Sequence, residues 1–271
     1  MHVHHDQIYA RASGQDLLLD LYLPENTAGP HPVILWVHGG AWLAGSKENP
    51  RALRMVDRGY AVASINYRLS QQATFPAQIH DCKAAVRWLR AHTALYHLRP
   101  DHIGAWGGSA GGHLVALLGT TAGVPDLEGD LGHLDYPSHV QAVCDDYGPS
   151  DFMRMNDTPG TMDHDAPDSP ESQLIGAPIQ EHPDLVARAN PISYIGPDTA
   201  PFLIVHGDRD LAVLLNQSQS LYRALRVAGR DATFYIVPGA GHGFQGITAR
   251  QQTHVDTLVD TFFDRHLKQR V

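Results

Sequence analysis

The chain has 271 residues and a net charge of −9, from 29 acidic and 20 basic side chains; that length suits one large domain, or one domain carrying an insertion. At 43% hydrophobic and 18% charged residues it is composed as a globular protein, not a disordered, fibrous or disulfide-stapled one. The negative balance repels phosphate backbones and anionic lipid surfaces and no basic patch offsets it, which disfavours nucleic-acid and membrane partners.

The opening MHVHHDQIYARASGQDLLLD has neither a basic nor an apolar leader region, and no run of 18 apolar residues follows it. A cytoplasmic location is therefore expected. Leu17, Leu19, Leu21 and Leu23 alternate with Leu18, Asp20 and Tyr22, the period of a half-buried strand, and Pro24 ends it. Short continuous apolar runs come next, at Val33 to Val37 and Tyr60 to Ile65. Ile79, Cys82, Val86 and Leu89 then recur at helical spacing. Further runs at Ile103 to Trp106 and Val140 to Cys144 are separated by a helical stretch, His113 to Gly119. Cys82 and Cys144 read as reduced core residues.

From Ser150 to Asp184 the alternation breaks. Eight acids (Asp151, Asp157, Asp163, Asp165, Asp168, Glu171, Glu181, Asp184) face one base, Arg154, and Ser169-Pro170-Glu171 has the form of an N-cap with proline at the first helical position. This segment, about 150–184, is expected to be a surface insertion, lid-like above the sheet edge. Strand-like runs resume at Phe202 to Val205 and Thr233 to Val237, and Val255, Leu258, Val259, Phe262 and Phe263 mark a last helix. Continuous rather than alternating runs indicate strands buried on both faces. The class is α/β: residues 1–271 as a single domain, a mostly parallel central sheet with helices on both faces, and the acidic insertion.

Chemistry concentrates in the turns after these strands. Gly107-Gly108-Ser109-Ala110-Gly111 lies between a strand and a helix, where a sharp turn lifts a serine hydroxyl out of the sheet and small flanking residues let the two backbones cross. The helix dipole there favours negative charge at Ser109. Neither a P-loop lysine nor G-x-G-x-x-G spacing is present, which argues against a phosphate-binding turn. A serine needs a base oriented by an acid. His206-Gly207-Asp208-Arg209-Asp210 offers two acids at one strand end, and His242 sits in a glycine-rich loop at the next. Loops at the C-terminal ends of parallel strands converge, so Ser109, one of these aspartates and His242 can meet. The Gly39-Gly40 pair and the N–H of Ala110 offer donors for an oxyanion. Trp42, Phe152 and Phe244 are candidate pocket walls, equally suited to the core.

His38-Gly-Gly-Ala-Trp42, Gly107-Gly-Ser-Ala-Gly111, His206-Gly-x-x-Asp210-x-x-Val213 and Gly241-His242-Gly-Phe244, in this order, resemble the α/β-hydrolase esterases. The likeness is greatest to the hormone-sensitive-lipase-like and bacterial feruloyl and acetylxylan esterases. It implies the α/β-hydrolase fold, Ser109 as nucleophile, His242 as general base and then acid, Asp210 as the orienting acid, and the N–H groups of Gly40, Ala41 and Ala110 as the oxyanion hole, with no cofactor. Ala41 replaces the third glycine of the lipase-like motif, a change a backbone donor tolerates, and the long N-terminal cap of the larger members does not precede the first strands. The implied activity is hydrolysis of short-chain carboxylic esters. A carbohydrate esterase for acetylxylan or feruloyl groups, and an arylformamidase or peptidase, are alternatives, and a non-catalytic receptor is disfavoured by the presence of all three triad residues. Despite 18 histidines, no metal is expected: Asp163-His164-Asp165 and His2-Val-His-His5 fall in segments read as mobile and solvated, without the spacing of a zinc site.

Overall fold

Successive side chains of the central strands point to opposite faces, and they are divided between two cores accordingly. Val33, Leu35, Val37, Ala61, Ala63, Ile65, Ile103, Ala105, Val143, Phe202 and Ile204 pack in one; Ile34, Val62, Trp106, Ala142, Cys144, Leu203 and Val205 pack in the other. Runs apolar at every position are thus the mark of strands covered on both sides, as expected. The computed structural model describes residues 1–25 and 29–268.

Eight strands form one sheet: β1 (His2–Ala12), β2 (Gln15–Leu23), β3 (His31–Val37), β4 (Ala61–Ile65), β5 (Leu98–Gly108), β6 (Ala142–Asp146), β7 (Phe202–Gly207) and β8 (Ala232–Val237). Their order is β1-β2-β4-β3-β5-β6-β7-β8. The pairs β1/β2 and β2/β4 are antiparallel and the remaining pairs are parallel. Helices α1 (Ala77–Ala91), α2 (Thr93–Tyr96), α3 (Ala110–Thr120), α4 (Pro125–Glu128), α5 (Pro170–Ile175), α6 (Pro183–Ala189), α7 (Leu215–Val227) and α8 (Ala249–Phe263) complete the described chain, with short 3₁₀ turns. The first core takes residues of α1, α3, α6 and α7, whereas α8 and the turn Arg51–Arg58 cover the opposite face. Cys82 and Cys144 are buried and unbridged.

Strand β1 has no counterpart in the sequence reading, which left the His2-Val-His-His5 segment mobile. Its pairing with β2 shifts register between His4 and Gln7 and again between Ile8 and Ala10, so the two-residue period that betrays a strand is interrupted. Rather than being loose, His5 is anchored, with Nδ1 2.9 Å from Oδ2 of the buried Asp20.

The segment 150–184 folds into the turn Phe152–Arg154, α5, the turn Ile179–Glu181 and the start of α6. Ser169 caps α5, its Oγ accepting the Ser172 N–H at 3.1 Å. The segment is tied to the loop 211–214 and the first turn of α7: Gln217 Oε1 accepts the N–H groups of Ser150 and Asp151 at 2.9 and 2.8 Å, and Leu211 O accepts the N–H of Thr161 at 2.8 Å.

The site's position follows from topology. From β3 the chain steps one way to β4, then crosses back past β3 to β5, so the loops leaving β3 and β5 separate at their C-terminal ends. Such a reversal opens a crevice in a parallel sheet.

Candidate active site

One wall of this crevice is the loop after β3 and the other is the turn after β5. Ser109 sits in that turn with φ 57° and ψ −124°, a left-handed conformation of the kind that costs a non-glycine residue of order 1–3 kcal/mol. Its neighbours hold it there. The Ser109 N–H donates to Asp146 O on the adjacent strand at 2.9 Å, and Ser109 O accepts the N–H of His113 at 3.0 Å. The flanking glycines are required by contact: a Cβ at Gly111 would lie 2.1 Å from Val37 O, and one at Gly107 would lie 2.5 Å from the carbonyl carbon and oxygen of Gly111. Any side chain there would drive α3 off β3.

The structure brings together the three residues singled out from the motifs. His242 Nε2 lies 3.1 Å from Ser109 Oγ, and His242 Nδ1 lies 2.7 Å from Asp210 Oδ2. Asp210 is buried, and its Oδ1 accepts the N–H groups of Ala212 and Val213 at 2.9 and 3.0 Å. Burial alone would raise the Asp210 carboxyl, but hydrogen bonds from His206 and His242 hold it well below the usual carboxylate range. Asp208 is turned elsewhere: its Oδ1 accepts the N–H of Gly239 at 2.6 Å and so braces the β8 turn that leads to His242.

His206 is a second supporting residue, unnoticed in the motif reading beyond its place at the head of the loop. Its Nε2 is 2.8 Å from the Val213 carbonyl, which can only accept, so Nε2 carries the proton and Nδ1 accepts from Ser218 Oγ at 2.7 Å. The same Nε2 lies 3.3 Å from Asp210 Oδ2. Tyr147 packs its ring edge-on to His242, with centroids 4.9 Å apart, and limits how far the imidazole can swing.

A cavity of about 470 Å³ opens over Ser109. Gly40, Ala41, Trp42, Ser109, Ala110 and His242 line it, with Val213 and Met162 among its apolar walls. Gly40, Ala41 and Trp42 have φ of 114°, 55° and 57°, a left-handed run that curls the loop around the Gly40 carbonyl, which accepts from the N–H groups of Leu43 and Ala44. Tyr67 Oη donates to His38 O at 3.0 Å and fixes the loop from behind.

Of the three aromatics expected to form pocket walls, only Trp42 lines the cavity. Phe152 is wholly buried behind it, its ring 5.5 Å from Trp42 and 5.0 Å from His113. Phe244 is clamped between Tyr147 at 4.8 Å and the Arg51 guanidinium, also at 4.8 Å. Both are core residues supporting the site.

The insertion contributes what the sequence reading assigned to solvent. Met162, His164, Pro170 and Glu171 line the cavity, and His164 is buried, not mobile. His164 Nε2 donates to the Ala212 carbonyl at 3.0 Å, and Nδ1 faces Glu171 Oε1 at 3.1 Å. Burial opposes protonation of His164, but the Glu171 carboxylate outweighs it and raises the imidazole above its ordinary range. Among the described residues no group of three His, Cys, Asp or Glu side chains is placed to hold a metal ion, and no helix is long and apolar enough to cross a membrane.

Comparison with known proteins gives the same architecture. Residues 19–225 match the BD-FAE family. Esterase LipQ of Mycobacterium tuberculosis is 34% identical over 91% of this chain and 59% of its own length; the chain spans little more than half the length of the mycobacterial relatives it matches, LipC being covered to 53%. Among solved structures, a truncated form of a carbohydrate esterase from gut microbiota superposes with a TM-score of 0.87 at 36% identity, covering 99% of this chain and 97% of that one. The bifunctional GH43-CE of Bacteroides eggerthii gives 0.84 at 37% identity, covering 95% of this chain and 38% of that one. With a family match running from β2 into α7 and a sheet that superposes on those of esterases, the chain belongs to the BD-FAE family and has the α/β-hydrolase fold.

Proposed function

We propose that this protein is a serine carboxylic ester hydrolase. The observation that carries the reading is the chain of contacts Ser109 Oγ, His242, Asp210, at 3.1 and 2.7 Å, on the floor of a cavity bounded by Gly40, Ala41 and Ala110. Ser109 attacks the ester carbonyl while His242 Nε2 takes its proton. Asp210 fixes the imidazole with its proton on Nδ1 and stabilises the positive charge that forms there. The N–H groups of Gly40, Ala41 and Ala110 hold the oxyanion; the first N–H groups of a helix have no intrahelical partner, so that of Ala110 is free for this use. His242 then protonates the departing alcohol, and water repeats the cycle on the acyl-enzyme. No step needs a cofactor.

The preferred acyl chain is short, acetyl to butyryl. Each buried methylene contributes about 0.8 kcal/mol only where an apolar surface receives it. Trp42, Met162 and Val213 provide such a surface near Ser109, but on the insertion side the wall includes Glu171 and His164, polar side chains that offer an alkyl tail little apolar contact. The insertion acts as the wall that sets this limit.

A second reading, a carbohydrate esterase removing acetyl or feruloyl groups, is favoured by the structural neighbour from gut microbiota, which is described as a carbohydrate esterase. Hydrolysis of p-nitrophenyl acetate, butyrate, octanoate and palmitate, set beside acetylated xylan, methyl ferulate and N-formylkynurenine, tests both. Turnover of p-nitrophenyl acetate and butyrate above that of the longer esters is expected. A maximum at octanoate or beyond would refute the short-chain reading, and turnover of N-formylkynurenine alone would refute ester hydrolysis.

A further inference from the structure

Tyr147 follows β6 with φ 46°, a left-handed conformation that is an outlier for a bulky side chain and persists only where its surroundings impose it. The turn is locked from both sides. The Tyr147 N–H donates to Val205 O at 2.9 Å, and a Cβ at Gly148 would lie 2.5 Å from Asp145 Oδ1 and 2.6 Å from His113 N, so the next residue sits tight against α3. Held this way, the Tyr147 ring packs against His242 and Phe244 and lines the cavity over Ser109. A Cβ at Gly108 would lie 2.9 Å from Tyr147 Oη, which places the hydroxyl beside the residue that precedes Ser109. Trp42 Nε1 and Glu171 Oε2, on other cavity-lining side chains, are sealed from solvent; Tyr147 Oη is not, and it has no hydrogen-bond partner among the described residues.

Burial, with the Asp146 carboxylate nearby, raises the phenol above its ordinary range, so the hydroxyl keeps its proton and can donate. Sheet order decides what it can reach. Strand β5 lies between β3 and β6, so the loop carrying Gly40 and Ala41 and the turn carrying Tyr147 flank Ser109 from opposite sides. The hydroxyl therefore stands away from those oxyanion donors and on the side of His242, where the alcohol departs. We infer that Tyr147 is a catalytic residue whose hydroxyl donates a hydrogen bond to the alcohol oxygen of the ester as the carbon–oxygen bond breaks. His242 delivers the proton to that oxygen; Tyr147 keeps its own and steadies the negative charge that gathers before the proton arrives. This rests on the ester-hydrolase reading above and assigns a second donor to the leaving group of that reaction.

Tyr147→Phe removes one oxygen atom and keeps the ring that packs on His242. Its kcat/KM, which reads acylation alone, is compared with that of wild type for p-nitrophenyl acetate, followed by absorbance, and for ethyl acetate, followed by pH-stat. Both esters give the same acetyl-enzyme, but nitrophenolate spreads its charge into the nitro group and needs little help to leave, whereas ethoxide holds its charge on one oxygen. The loss for ethyl acetate is expected to exceed the loss for p-nitrophenyl acetate by about tenfold, the size of one charge-assisted hydrogen bond. Equal losses, or a larger one for p-nitrophenyl acetate, would mean that the hydroxyl acts only through the placing of His242; no loss for either would mean that it touches nothing. Each result overturns this inference alone. So does a Tyr147→Phe variant that is unfolded by circular dichroism, because the hydroxyl would then be bonded to the protein. Failure of the wild type to hydrolyse both esters overturns the ester-hydrolase reading with it.

Discussion

Two aspartates stand two residues apart in the loop after β7, and replacing each by asparagine separates their roles. In Asp210→Asn one of the two carboxylate positions must become an NH₂ group. If the amide oxygen stays with the N–H groups of Ala212 and Val213, at 2.9 and 3.0 Å, the NH₂ faces His242 Nδ1, 2.7 Å away in the wild type. Nδ1 must then accept, the ring proton moves to Nε2, and the nitrogen facing Ser109 Oγ can no longer take its proton. If the amide flips instead, two backbone N–H groups lose their acceptor and the loop shifts. Either way kcat is expected to fall by about 10⁴, on the order of 5 kcal/mol of transition-state stabilisation. Asp208→Asn keeps a carbonyl oxygen able to accept from Gly239 N–H, so its kcat stays within about tenfold of wild type. Initial rates with p-nitrophenyl acetate, alongside circular dichroism to verify folding, measure both. The reasoning is refuted if Asp208→Asn is the more damaging variant, or if Asp210→Asn retains a tenth of wild-type kcat.

Gly111→Ala would place a methyl group 2.1 Å from Val37 O; it is expected to destabilise the fold by about 1–3 kcal/mol and, by displacing Ser109, to lower kcat by about 10². An unchanged Tm and kcat would show that the strand and helix do not cross so closely. Burial pushes the Asp145 carboxyl up to about 7, so the folded chain keeps a proton that the unfolded chain releases above about pH 4, and stability declines as pH rises between those values. Asp145→Asn cannot release that proton, so its Tm relative to wild type should rise from pH 5 to pH 8; a fall would mean the carboxyl is ionised in the folded protein throughout. Hydrolysis should survive dialysis against EDTA, and loss of activity restored by zinc would show that a metal takes part.

Much of this architecture is written in the chain because the physics behind it is local. Buried parallel strands such as β3 and β7 are continuous apolar runs, and the crossing of β5 with α3 admits only glycine at 107 and 111. Ser109, His242 and the pair Asp208 and Asp210 were legible for the same reason, since each follows a strand and turns with small residues announce themselves; the preference for Asp210 within the pair came from the family resemblance. What escaped depends on distant packing. Phe152 and Phe244 are aromatic residues beside site motifs, yet Trp42 and His113 enclose one, and Arg51 and Tyr147 the other. Glu171 and His164 lie in an acidic stretch whose composition matches a solvated loop, but the stretch folds back onto the loop before α7, where His164 meets Ala212 O, and both side chains are buried. Ser169 and Pro170, an N-cap followed by proline at the first helical position beside Glu171, were the local signs that this stretch is ordered.

The central claim is that Ser109 is the nucleophile, activated by His242. Treating the protein with a fluorophosphonate and mapping the peptides by mass spectrometry tests it most directly, since the reagent modifies a serine in proportion to its activation. A single adduct on Ser109 is predicted, absent in Ser109→Ala and strongly slowed in His242→Ala, with Ser109→Ala hydrolysing p-nitrophenyl acetate at under about 1% of the wild-type rate while remaining folded. An adduct on another residue, or Ser109→Ala turning over faster than that, would contradict the account.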